Sequence, residues 1–74
     1  MPVKRSVLIA GHPTSVTLEP EFWDALKALA LAEGTTINAL VERIDAARSG
    51  NLSSAIRVWV LGRARAGALG APGV

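Results

Sequence analysis

The sequence predicts a mainly α fold that begins with a short β-hairpin, in the order β-β-α-α-α. Three observations predict it. Ser15 and Thr17 alternate with Val16 and Leu18, the period of a strand with one face buried and one face free. That strand runs without a linker into a helical pattern that breaks at Gly34, and a second break at Ser49-Gly50-Asn51 opens a third helix. With 74 residues and no cysteine, the chain is at most one domain. A domain of this size buries only about 60% of its unfolded surface and here has no disulfide to staple it.

Residues 4–9, KRSVLI, form the first candidate strand, followed by the turn-prone Ala10-Gly11-His12-Pro13 and the second strand over residues 14–18. Glycine and proline between two β-favouring runs are a hairpin signal. With Val7 and Ile9 turned to the core, Lys4, Ser6 and Leu8 share an outer face with Ser15 and Thr17, and that face is short, polar and weakly basic. Glu19-Pro20 begins the first helix, with proline at the first helical position, where its missing N–H costs nothing. Phe22, Trp23, Leu26, Leu29 and Ala30 recur at helical spacing as a buried stripe. Glu19, Glu21 and Asp24 lie in the first turns, where carboxylates suit the helix dipole.

Gly34 ends that helix in a left-handed cap. Thr35 or Thr36 caps the second helix, whose Ile37, Leu40, Val41 and Ile44 make a stripe running to near Arg48. Asn51 or Ser53 caps a third helix with Leu52, Ala55, Ile56, Trp59 and Val60 on one side. Val58 and Leu61 make this helix apolar nearly all round, which predicts burial against a partner. Residues 1–65 thus read as one domain with an extra C-terminal helix, and residues 66–74, AGALGAPGV, as a flexible tail. No internal repeat is visible.

Composition narrows the function. Half of the residues are hydrophobic, 50%, and the mean hydropathy is +0.35, which fits a chain that buries surface against a twin. A single histidine makes a structural zinc site implausible, and neither a metal nor a cofactor is expected. No run approaches the ~20 apolar residues needed to span a bilayer, and the N-terminal apolar stretch is too short for a signal peptide. The expected place is the cytoplasm, away from membranes. The net charge is +2, unevenly spread: residues 1–45 carry Lys4, Arg5, Lys27 and Arg43 against all six acids, and residues 46–74 carry Arg48, Arg57, Arg63 and Arg65 against none. Nothing supplies a nucleophile, a base and a pocket together, so an enzyme is not expected. His12 reads as a turn residue with a local hydrogen bond. Trp23 and Trp59 lie on apolar stripes and read as core.

A strand, a Glu19-Pro20 lead into a helix, and Gly34-Thr35-Thr36-Ile37-Asn38 opening a second helix are together similar to the ribbon-helix-helix superfamily that includes the Arc and MetJ repressors. The longer strings KRSVLIAGHPTSVTLEPEFWDAL and LVERIDAARSGNLSSAIRVWVL resemble a short bacterial branch of that superfamily, over most of the chain. The resemblance implies an intertwined homodimer in which residues 14–18 pair with their symmetry mate as a ribbon. Its core would be Val16, Leu18, Phe22, Leu26, Leu40, Val41 and Ile44. Outward side chains of the ribbon, here Pro13, Ser15 and Thr17, would face base edges in double-stranded DNA. The helix start at Thr36, Ile37 and Asn38 would hold a backbone phosphate, with Lys4 and Arg5 as further phosphate contacts. Ser15 and Thr17 are short for base readers and Pro13 has no donor. A hairpin strand on each side would also widen the dimer's sheet to four strands, more than a major groove ~12 Å wide admits. By resemblance, the expected function is nonetheless a dimeric DNA-binding transcriptional regulator. The alternative is a protein-interaction module that kept the dimer fold without binding DNA.

Overall fold

A computed structural model describes residues 1–67. Strands β1 (Val3–Ile9) and β2 (His12–Leu18) lead into helices α1 (Pro20–Ala32), α2 (Ile37–Ala47) and α3 (Leu52–Arg65), the element order predicted from the sequence. The tail assigned to residues 66–74 lies, from Ala68 onward, outside the described residues.

The two strands form one antiparallel sheet in which Arg5 faces Val16, Ser6 faces Ser15 and Ile9 faces His12. The hairpin is tighter than predicted. Ala10 and Gly11 alone make the loop, both with positive φ (51° and 80°), the signature of a type I′ turn whose twist matches that of paired strands. His12 and Pro13 consequently belong to β2. Proline is tolerated there because it faces Leu8 at a position whose N–H would point away from the ladder.

Each helix begins and ends for a local reason. Pro20 opens α1, and Gly34, at φ 67°, closes it: Gly34 N–H donates to Leu31 O and Thr35 N–H to Ala30 O, the paired bonds of a Schellman cap. Thr36 is the cap of α2, its hydroxyl accepting from Ala39 N–H, and Asn51 does the same for α3 through Ser54 N–H. Ser53 is thereby free of the capping role and turns to the sheet edge, where it accepts from Thr17 N–H.

The core lies between the sheet and the three helices: Val7, Val16 and Leu18 from the strands, Leu26, Leu29 and Ala30 from α1, Leu40, Val41 and Ile44 from α2, and Ile56 and Val60 from α3. Among the described residues no polar side chain is fully buried. Of the side chains assigned to a dimer core by resemblance, Val16, Leu18, Leu26, Leu40, Val41 and Ile44 are buried inside this one chain, and Phe22 is half-buried. On the third helix, whose apolar circumference predicts burial against a partner, Val58 and Leu61 are 68% and 52% exposed in the single chain. Among the described residues no helix is long and apolar enough to cross a membrane.

Since Leu40 is wholly enclosed by its own chain, Leu40→Ala should cost about 2–5 kcal/mol, read from a urea titration followed by tryptophan fluorescence. Repeating the wild-type titration at several protein concentrations separates this enclosure from association. A midpoint that rises with concentration would assign part of the stability to association.

Candidate nucleic-acid interface

The sheet has one face on the core and one in solvent. Lys4, Ser6, Leu8, Pro13, Ser15 and Thr17 occupy the outer face and all are exposed, as the alternation predicts. The register sets them in facing pairs: Lys4 with Thr17, Ser6 with Ser15, and Leu8 with Pro13. No acid is among them.

The edges of this ribbon are occupied. N–H groups alternate in direction along a strand, so those of Leu8 and Thr17 point off the two free edges of the hairpin. Leu8 N–H donates to Asn38 Oδ1 at 3.2 Å and Ala10 N–H to Glu42 Oε2 at 3.0 Å, both from α2. On the other edge Thr17 N–H donates to Ser53 Oγ at 3.0 Å, and Arg57 Nη2 donates to Thr17 O at 3.0 Å, both from α3. Each helix uses two residues four apart, which one helical face presents together. Within the chain, residues 14–18 pair with residues 3–7.

Arg57 has a second task. Its Nε donates to Glu19 Oε1 at 2.8 Å, tying the start of α1 to α3. That hydrogen bond, helped by one from the Glu19 backbone, holds the Glu19 carboxyl below its ordinary pKa.

The phosphate candidates are distributed unevenly. Thr36, Ile37 and Asn38 open α2 beside the ribbon, and the bond from Leu8 N–H to Asn38 fixes that helix start against β1. Lys4 stands on the outer face, whereas Arg5 turns to the inner side, where its guanidinium lies 4.8 Å from the centre of the Trp23 ring. The two are neighbours in sequence, but the pleat sends them to opposite faces. His12 is exposed at the start of β2, its carbonyl accepting from the Thr14 hydroxyl. Trp23 and Trp59 are half-buried against the core, and each carries an arginine on its ring, Arg63 in the case of Trp59. The sequence assigned no edge role to Glu42, Ser53 or Arg57, because only the folded register reveals what an exposed polar residue on a helix can reach.

The chain matches the family model described as a ribbon-helix-helix domain over residues 2–64, and it belongs to that family. No curated protein matches it. Among solved structures it is similar to an uncharacterized protein from Bordetella pertussis Tohama I, with 32% identity and a TM-score of 0.77, over 95% of this chain and 61% of that one. The chain thus spans less than two thirds of that protein's length.

The lowered Glu19 pKa fixes the sign of a pH effect. A carboxyl whose pKa is depressed by folding stabilises the fold fully above its unfolded pKa and loses that contribution as the pH falls through the lower native value. Glu19→Gln should therefore be less stable than the wild type at neutral pH, and the gap should close in acid, measured by thermal melts from pH 7 downward. A gap that is constant with pH would detach the effect from the Glu19 charge.

Proposed function

We propose that this protein is a DNA-binding regulator acting in the cytoplasm, in which one major groove receives the outer face of the hairpin. The observation that carries this reading is a two-stranded ribbon capped at both edges, with an acid-free outward face. Two strands set ~4.8 Å apart fit a groove ~12 Å wide, and the caps answer the objection that a hairpin would force a four-stranded sheet. Family membership supports the same reading. Phosphate contacts would come from Lys4 and from the α2 start at Thr36, Ile37 and Asn38, whose first-turn N–H groups point outward as at any helix start. Arg5, stacked on Trp23, serves the fold first. In a homodimer built on this reading, each copy brings a ribbon of its own.

Binding should be dominated by phosphate contacts and weak in sequence preference, since Ser15 and Thr17 offer two short hydroxyls where a good bidentate base contact is worth ~1–3 kcal/mol. Fluorescence anisotropy with short duplexes at several salt concentrations tests this. Lys4→Ala should lower the slope of log affinity against log salt by about one for each phosphate that the lysine neutralises. Ser15→Ala and Thr17→Ala should change affinity little. Loss of binding to one sequence alone in the hydroxyl variants would restore direct readout. An absence of salt-sensitive binding to any duplex would end the DNA reading.

A further inference from the structure

The two strands and the last two helices correspond position for position. Nine residues beyond β1, Val7 becomes Val16 and Ile9 becomes Leu18, all on the inner face, and Ser6 becomes Ser15, the residue it faces in the register. The relation is therefore a local two-fold through the Ser6–Ser15 pair. Fifteen residues beyond α2, the cap Thr36 becomes the cap Asn51, and buried Val41 becomes buried Ile56. The edge caps obey both shifts together: Leu8 with Asn38 becomes Thr17 with Ser53, and Ala10 with Glu42 becomes Glu19 with Arg57.

Helix α1 has no counterpart under this relation. It follows β2, whereas the corresponding end of β1 passes into the Ala10-Gly11 turn. Its C-terminal end is held by Arg43 and Arg63, which reach the two oxygens of Glu33 at 3.2 and 3.8 Å. The counterparts of Arg43 and Arg63 are Val58 and Arg48. Both line an open groove of about 450 Å3 between α2 and α3, together with Ile44, Ala47, Ala55 and Trp59. The groove lies where a second α1 would pack.

We propose that this groove docks an amphipathic helix of a partner protein, patterned like α1, with apolar residues three and four apart and a carboxylate near its C-terminal end for Arg48. Val58, 68% exposed where Arg43 stands on the other side, calls for an apolar contact. Charge points the same way, since from Ala46 onward the chain has arginines and no acidic side chain, and among the described residues the carboxylate paired with Arg48 is that of Asp45, three residues before it, at 2.6 Å. A second copy is disfavoured as occupant, because its α1 already buries Leu26 and Leu29 in its own core. The groove shares no residue with the outer face of the ribbon, so the two surfaces stand or fall separately.

The probe is a fluorescent peptide of residues 19–35, the α1 sequence, added to the full chain. Saturable binding is expected, with amide shifts at Ala47, Ser54, Ala55 and Val58. Val58→Glu, at an exposed position, should leave the circular dichroism unchanged and weaken binding at least about tenfold. Arg48→Glu should weaken it too, and a peptide carrying E33K should recover the loss. The proposal is overturned by no saturable binding, by binding indifferent to Val58→Glu, or by shifts centred on Arg43 and Arg63, where the peptide would have displaced the chain's own helix. It is equally overturned if the wild type sediments as a dimer that Val58→Glu converts to a monomer, for then the occupant is a second copy.

Discussion

Two strands alone are not a stable sheet: they leave an apolar face bare and a row of unpaired backbone groups along each edge. Helices α2 and α3 meet both needs with the same turns. Their buried residues, Leu40, Val41 and Ile56 among them, cover the inner face, while Asn38 with Glu42 and Ser53 with Arg57 reach round to the edges. An edge N–H left unpaired away from water would cost about 1–3 kcal/mol, so the caps secure the hairpin as well as orient it. The helices also gain, because each is fixed in register against one strand. In this chain that arrangement leaves the ribbon's outer face open and its edges closed.

The same constraint accounts for the local symmetry. Whatever supports one strand of a hairpin from below can support the other, provided a two-fold relates them, and here the pair Ser6 and Ser15 lies on the axis. The helices keep the relation only where it serves the strands. Ser53 replaces Asn38 and still accepts from an edge N–H; Arg57 replaces Glu42 with the sign of charge reversed, and accordingly binds a carbonyl and a carboxylate rather than an N–H. Elsewhere the sequences drift freely. Symmetry held by a few hydrogen bonds and apolar positions leaves little for residue identity to betray, the Ser-Val pair at 6–7 and 15–16 being the shared string in the strands.

What the sequence made legible was what local physics decides. Alternation gave the sheet face, Pro20 and Gly34 the limits of α1, and the stripe Ile37, Leu40, Val41, Ile44 the buried side of α2. The turn reads too long in the sequence because Ala10 adopts φ 51°, a conformation alanine seldom takes and accepts here because it lies beside Gly11 in a two-residue loop. Adjacency groups Lys4 with Arg5, whereas the pleat separates adjacent residues and Trp23 captures the arginine. The caps were invisible for a different reason. An exposed serine or glutamate on a helix has no signature of its own until a strand edge, 30 residues away for Leu8 and 32 for Ala10, is laid beside it.

The chemistry of the outer face limits what a ribbon of this kind can read. Leu8 faces Pro13 at its turn end, Ser6 faces Ser15 at its centre, and Lys4 faces Thr17 at the other end, so polarity and charge increase along the ribbon away from the turn. Short hydroxyls and aliphatic groups cannot form the forked contacts that identify guanine or adenine, but aliphatic carbon can pack on the methyl group of thymine. On the DNA reading, Leu8 is then the group able to distinguish one base pair from another, and Lys4 supplies affinity without sequence information. Discrimination by methyl contact is modest, and the rest must come from how readily the duplex takes the shape that brings its phosphates to the start of α2.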